Sequence, residues 1–347
     1  MEWSTPRYSR RKVNEAGVRL VRGGRDNEAD LDAAIAVVGN FRAAHAFPLN
    51  TLQIRLRFHA HCMDKKSFVA QRLKRLSSIL FKLQRFESME LWDIQDIGGC
   101  RAVVSNVKKV DAMVDAFKSS RIRHRLAHED DYIRQPKDDG YRSRHLVYRY
   151  ISDRNEVYNG FKIEIQIRTP LQHAWATTVE TVDAFTQQAL KASRGRRDWA
   201  RFFQLMGTWM ALREDSPPVP GTPTDILQLC RDLRSCANEL QVEASLRGFA
   251  TALSIVGAQR ARHADYVLLS LDNVRELLNI AGYNRKELAQ ASEAYAMKEK
   301  EIRDNKGTDA VLVSVDSIRN LRRAYPNYFA DTRRFASELK KAASQVQ

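Results

Sequence analysis

Three short stretches between residues 93 and 169 hold the residues best suited to chemistry: DIQDIGGCR (93–101), KDDGYRSRH (137–145) and EIQIRT (164–169). In the first, Asp96 precedes Gly98, Gly99 and Arg101. Magnesium takes one or two carboxylates and completes its shell with phosphate oxygens and water, so Asp96 is a candidate ligand. The glycines allow a phosphate to approach the backbone closely. In the second, Tyr141 follows Gly140, with Lys137, Arg142, Arg144 and His145 nearby. A ring that stacks on a base and cations that hold its phosphates make a nucleotide site. In the third, a strand period of two sets Glu164, Gln166 and Arg168 on one side and Ile163, Ile165 and Ile167 on the other. A carboxylate between isoleucines is costly if buried without a partner. Glu164 therefore reads as a second metal ligand or as a base beside an attacking hydroxyl. Taken singly, each stretch has a plainer reading: an Asp-Gly turn, a loop tyrosine packed on its own strand, a solvated sheet face. Together they read as phosphoryl-type transfer onto a nucleotide.

These residues need strands and helices to hold them. CRAVVS (100–105) is a buried strand by its β-branched content. Val110, Met113, Val114 and Phe117 mark a helix over 107–120. RHLVYRYIS (144–152) and FKIEIQIRT (161–169) read as paired strands around a turn at 153–160. Thr169-Pro170 starts a helix, with Thr as N-cap and Pro at the first helical position. Upstream, 9–45 reads as helix interrupted near Gly23-Gly24, and TLQIRLRFH (51–59) alternates as a strand would. Residues 66–86 read as one amphipathic helix with a basic face of Lys66, Arg72, Lys74, Arg75, Lys82 and Arg85.

The chain has 347 residues, enough for two domains, and 44% hydrophobic residues can build a core. Its formal net charge is +15, and residues 1–221 hold 38 Lys and Arg against 26 Asp and Glu, so 12 of those 15 charges lie in the half that carries the motifs. Such a balance suits a polyanionic partner. Four cysteines form no CxxC pair, which fits a reduced, cytoplasmic setting. No apolar stretch reads as a signal peptide or a membrane span, so no membrane partner is expected. His59, His61 and Cys62 lack a complementary ligand pair at a zinc spacing. DSPPVPGTPTD (215–225) cannot be continuous helix and reads as a linker between a domain at 1–214 and a second at 226–347. Everything after the linker reads as helix: 226–240, 241–256, 260–281, 285–305 and 308–343.

Taken in order, RLKRLSSILFK (72–82), DIQDIGGCR, GYRSRH (140–145) and EIQIRT resemble the synthetase domain of the RelA/SpoT family over about residues 65–185. The resemblance implies an α/β (α+β) nucleotidyltransferase-like domain, a mixed sheet flanked by helices, followed here by an all-α helical domain. It also favours helix over strand for 51–62. It implies a (p)ppGpp synthetase: magnesium-dependent transfer of the β,γ-pyrophosphate of ATP to the 3′-hydroxyl of GDP or GTP. Carried over residue by residue, Asp96 and Glu164 resemble the catalytic, metal-holding acids. Arg72 and Arg101 resemble the pair that sandwiches adenine, and Lys74, Ser78 and Lys82 resemble donor-phosphate contacts. Tyr141 resembles the ring that stacks on the acceptor guanine, with Lys137, His145, Gln166 and Arg168 close by. Two departures stand out. The family's small synthetases carry Trp-Ala-x-x-Glu-His on the next helix. Here WATTVET (175–181) places Glu180 one position later and Thr181 where histidine is usual, a rotation of about 100°. No His-Asp dipeptide is present, so the family's hydrolase domain has no counterpart. The basic amino-terminal half keeps open a toxin-like relative that pyrophosphorylates the tRNA 3′ end or makes adenosine alarmones. A degenerate nucleotide-binding module is a third reading. A homo-oligomer or a regulatory protein partner through the C-terminal helices also stays open.

Overall fold

The computed structural model describes residues 3–22, 28–186, 193–252, 254–256, 264–272, 275–303, 308–314, 318–329 and 331–345. The expected interruption near Gly23-Gly24 lies outside them. Three helices lead: α1 (Arg10–Arg22), α2 (Glu28–Ala44) and α3 (Ala46–Met63). The first strand and helix of the motif region follow, β1 (Phe68–Leu73) and α4 (Leu76–Arg85), then β2 (Gly98–Val103), α5 (Val107–Lys118), β3 (Arg125–Asp131), β4 (Arg144–Arg149), β5 (Lys162–Arg168) and α6 (Pro170–Thr186). Beyond lie α7 (Ser193–Leu212), α8 (Ile226–Glu239), α9 (Val242–Ala252), β6 (Ser254–Val256), β7 (Tyr266–Asp272), β8 (Leu277–Tyr283), α10 (Leu288–Arg303), β9 (Thr308–Ser314), α11 (Ile318–Ala324) and α12 (Arg333–Ala343).

The strands form one mixed sheet in the order β3-β4-β5-β2-β1-β9-β7-β8-β6. The β2–β5 pair is parallel, as is β6–β8. The expected antiparallel pairing of β4 with β5 is present, with His145 opposite Gln166 and Val147 opposite Glu164. On one face, α3 and α5 cover a core built from Leu49, Leu52, Leu56, Ala60, Val110, Met113, Phe117 and the three isoleucines of β5. The opposite face turns Arg72, Arg101, His145, Glu164, Gln166 and Arg168 towards α6 and the C-terminal elements. Thr169 caps α6 reciprocally: Gln172 N donates to its Oγ1 at 3.3 Å and its own N donates to Gln172 Oε1 at 3.1 Å.

Residues 51–59 are helical, as the resemblance favoured over the alternating pattern, because Leu49, Leu52, Leu56 and Ala60 share one buried helical stripe, and the alternating arginines are incidental to it. Two expectations need correction. Residues 66–86 are a strand followed by a helix. Val69 and Ala70 are buried in β1, and the helical spacing begins only at Leu76. The region after the Pro-rich stretch is not all-α. β7, β8 and β9 extend the sheet of the motif region, with β9 joining β1 through Gln71 opposite Ser314 and Arg72 opposite Val313. β7 is buried along six of its seven residues, so its apolar run, broken by the buried Ser270, shows no regular alternation.

Candidate active site

Asp96 sits in the turn before β2. Lys74 Nζ reaches its Oδ2 at 2.5 Å and Lys82 Nζ its Oδ1 at 3.2 Å. Burial raises the Asp96 pKa, but the two ammonium groups outweigh it and hold the carboxylate below its ordinary range. Ser78 and Lys82 are spaced by four along one edge of α4, with Ser78 half-buried, and Lys74 lies just before that helix, directly after β1. Of the two glycines, Gly98 serves packing: a Cβ there would lie 2.8 Å from Ile163 Cδ1. Gly99 has open space, and it is the one that leaves room for a ligand.

Glu164 lies one strand away. His145 Nδ1 stands 3.0 Å from its Oε1, and Gln166 Nε2 donates to its Oε2 at 2.7 Å. The other ring nitrogen of His145 is 2.8 Å from the Tyr141 hydroxyl. Burial lowers the His145 pKa, but Tyr141 and Glu164 outweigh it and push it up to about 9, so at neutral pH the imidazolium donates to both. Burial raises the Glu164 pKa and the neighbouring Asp96 adds to that, yet His145 brings it below its ordinary value. Tyr141 is set by Gly140, which has φ +97 and leaves no room for a side chain: a Cβ would lie 3.1 Å from Trp175 and 3.2 Å from Phe203 O. Lys137 Nζ lies 4.3 Å from the ring centre of Tyr132 and 5.3 Å from that of Tyr141.

Between these two sides lie three guanidinium groups, Arg72, Arg101 and Arg168. Burial lowers the Arg168 pKa, and Arg101 drops to about 10 from burial and the charge of Arg168. Arg72 goes the other way. Glu180, Tyr325, Tyr328 and Asp96 outweigh its burial and raise it. Glu180 answers the cluster: burial would raise its pKa, but Arg72, Arg101, Arg75 and Arg168 lower it. The shifted glutamate of WATTVET therefore does face the site. Thr181 is buried and donates to Thr177 O at 2.8 Å within its own helix.

Sequence reading missed what covers the arginines. Tyr325, between α11 and the 3-10 turn Pro326–Phe329, lies with its ring centre 4.9 Å from the Arg101 guanidinium carbon, and its hydroxyl donates to Gln71 O at 2.9 Å. Arg101 Nη2 donates to Ala324 O at 2.6 Å. Tyr328 donates to Asp309 Oδ2 at 3.0 Å, and Asp309 is ion-paired with Arg75. Glu299 of α10 accepts from Leu76 N, the first amide of α4, at 3.0 Å and binds Arg42 at 2.5 Å. What remains between Arg72, Lys74, Asp96, Arg101, Glu164, Gln166 and Tyr325 is a cavity of about 50 Å³. That is room for one or two waters, far short of a nucleotide. No signal in the sequence marked Tyr325; the Tyr-x-x-Tyr spacing (325–328) gains meaning only from the fold.

The structure thus brings Arg72, Lys74, Asp96, Arg101, Glu164 and Gln166 to one cavity and links Tyr141 and His145 to it through Glu164. Lys137 stays exposed at the outer side of Tyr141. Among the described residues, no group of three or more His, Cys, Asp or Glu could hold a metal, and no helix is long and apolar enough to cross a membrane.

Residues 71–185 match the profile of a region found in RelA / SpoT proteins. GTP pyrophosphokinase YjbM of Bacillus subtilis is 37% identical over 116 residues, covering 32% of this chain and 53% of that protein. GTP pyrophosphokinase YwaC of the same organism is 33% identical over 111 residues, covering 30% of this chain and 52% of that protein. The chain thus spans about half the length of these curated relatives. Among solved structures, small alarmone synthetase 1 from Bacillus subtilis bound to its product pppGpp aligns over 58% of this chain and 91% of that one, at 22% identity and a TM-score of 0.38. Small alarmone synthetase 2 from the same organism aligns over 50% and 94%, at 24% identity and a TM-score of 0.42. Over residues 71–185, the chain carries the region found in RelA/SpoT proteins.

Proposed function

We propose that this protein is an ATP pyrophosphotransferase that makes (p)ppGpp, moving the β,γ-pyrophosphate of ATP to the 3′-hydroxyl of GDP or GTP and releasing AMP. One observation carries the reading. The Tyr141–His145–Glu164 linkage ties a base-stacking ring to a carboxylate that shares a cavity with Asp96, Lys74 and two arginines. In the reaction, Arg72 and Arg101 hold the adenine, and Lys74, Ser78 and Lys82 hold the donor phosphates. Tyr141 stacks on the acceptor base, with Lys137 beside it. His145 and Gln166 fix both oxygens of Glu164, which accepts the proton of the 3′-hydroxyl. Arg168 balances negative charge between the two nucleotides. Such a transfer depends on positioning and charge neutralisation.

Asp96 and Glu164 are hard oxygen donors facing one cavity, and a pair of carboxylates is what a magnesium ion shared with phosphates requires. That ion would neutralise charge on the transferring group. Asp96 so engaged would leave Lys74 and Lys82, which pair with it here, to hold phosphate.

The covered donor side adds a regulatory reading. Tyr325 lies on the Arg101 face where adenine would stack, so turnover requires the C-terminal segment to move away. A second reading, with the tRNA 3′ end as acceptor, draws on the exposed cations Arg121, Arg123 and Arg125 at the sheet edge. Asp96→Asn and Glu164→Gln test the core of the proposal. Each should cut AMP release by on the order of 10³ with the fold intact, since each removes several kcal/mol of transition-state stabilisation. A variant that keeps more than about a tenth of the rate contradicts that residue's role.

A further inference from the structure

A pocket of about 280 Å³ lies between α9, α11 and α12 and shares no lining residue with the candidate active site. Its floor is apolar: Leu246 of α9, Phe329 of the 3-10 turn and Ala336 of α12. Its rim is mostly cationic, with Arg247, Arg322, Arg333 and Lys340 against Glu243 and Asp331. Asp331 is already answered, because Arg333 donates to one of its oxygens from Nε at 2.8 Å and to the other from Nη2 at 2.6 Å. Arg322 lies across the floor, its guanidinium carbon 5.0 Å from the ring centre of Phe329.

α12 begins at this pocket. The first amides of a helix have no partner inside it, and the N-cap side chain commonly supplies one. Thr332 holds the N-cap position, yet its side chain makes no bond to the helix. It is only 6% exposed, and among the described residues its Oγ1 has no hydrogen-bond partner. The oxygen is not sealed in the interior, as the unpaired Oδ1 of Asn327 is, and Thr332 lines the pocket, so the hydroxyl opens there. A recessed hydroxyl at a helix N-terminus, ringed by cations, suits an anion with several acceptor oxygens. The apolar floor calls for an organic part on that anion, and the volume keeps it small. Because Thr332 is recessed, a terminal phosphate reaches it, whereas a phosphate inside a nucleic-acid backbone carries a substituent on each side and does not.

We propose that this pocket binds a small organic phosphate monoester, with its phosphate on Thr332 and Arg322 and its organic part on Phe329 and Leu246. The site is separate from the proposed reaction and does not depend on it. Arg322 and Phe329 flank Tyr325 and Tyr328 in the chain, so an occupant ties the segment that covers the donor side to α9 and α12.

The test uses the full chain and a matched pair of probes, phenyl phosphate and methyl phenyl phosphate. They share the ring, and the diester lacks a terminal oxygen and one negative charge. Binding is read by calorimetry and by ³¹P NMR titration. Phenyl phosphate should bind saturably and about tenfold tighter than the diester, because hydrogen bonds to a fully charged group are the stronger kind. Thr332→Val and Arg322→Gln should each weaken phenyl phosphate by about tenfold in folded protein. Lys82→Ala, which alters the proposed donor-phosphate site instead, should leave its affinity unchanged. Saturable binding of neither probe, equal binding of both to the unaltered chain, or phenyl phosphate binding that Lys82→Ala abolishes and both pocket variants keep would each overturn the proposal.

Discussion

Tyr325→Phe is the sharpest probe of the covered donor side. It removes one group, the hydroxyl that donates to Gln71 O at 2.9 Å, and keeps the ring on Arg101. A hydrogen bond of this kind contributes about 1 kcal/mol net. Its loss should raise the ratio of uncovered to covered protein about fivefold. A ligand that needs a sparsely populated state has its apparent Kd scaled by the population of that state. A non-hydrolysable ATP analogue should therefore bind about fivefold tighter to Tyr325→Phe by calorimetry. Tyr325→Ala also loses the contact with Arg101, worth about 0.5–2 kcal/mol. Its affinity should rise by on the order of 30-fold, and turnover should rise with it. Arg101→Ala should do the reverse and weaken the analogue, because it removes a binding group along with Tyr325's partner. Well-folded Tyr325→Phe and Tyr325→Ala variants with unchanged or weaker ATP affinity would refute the idea that this segment competes with the donor.

Tyr141→Ala should weaken acceptor binding by about 1–3 kcal/mol and leave ATP affinity nearly intact; unchanged acceptor affinity in titrations would make Tyr141 a packing residue. Asp64 is buried, but it accepts from the Ser105 hydroxyl, from Lys66 N at 3.0 Å and from Ser105 N at 2.7 Å, with Lys109 Nζ at 3.3 Å, and together these outweigh its burial to hold its pKa at about 2. A depressed carboxylate pKa stabilises the fold above pH 3.8, and that contribution, about 2 kcal/mol, is lost as pH falls from 3.8 towards 2. Asp64→Asn should lower stability at pH 7 and flatten this acid limb in urea melts; an unchanged limb counts against the assignment. A fragment of residues 1–221 should aggregate or melt well below the full chain, because removing β9 bares the β1 edge and the apolar surface under Tyr325 and Tyr328. A soluble fragment with the full chain's melting temperature would show that the two parts are independent.

The candidate site was legible in the sequence where local periodicity and chemistry agreed. Glu164, Gln166 and Arg168 alternate with isoleucines, and only a strand explains both sets. Gly140 takes its role from the structure, which holds it at positive φ beside Trp175. Local patterns failed where burial was two-sided or accidental. β7 reads as mostly apolar because helices and neighbouring strands enclose it, so neither period shows. α3 carries arginines at alternate positions on top of a helical core stripe, and the eye follows the charges. Glu180 was displaced in the motif, yet it lies among Arg72, Arg101 and Arg168, since the helix axis as well as the residue number sets where a carboxylate arrives. Tyr325 and Glu299 were beyond reach: they meet Arg101 and Arg42 across more than 220 residues, through a strand pairing that no short-range signal encodes.

The central claim is the reaction itself. The direct measurement is mass spectrometry of the products formed by the full chain, or by Tyr325→Ala if the unaltered chain is silent, from γ-³²P-ATP with magnesium and GDP, GTP or bulk tRNA in separate reactions. The account predicts guanosine tetraphosphate from GDP and pentaphosphate from GTP, with one AMP released per acceptor and the label in the 3′ group, and no product from Asp96→Asn. Label appearing on tRNA alone, with GDP and GTP untouched, would contradict it.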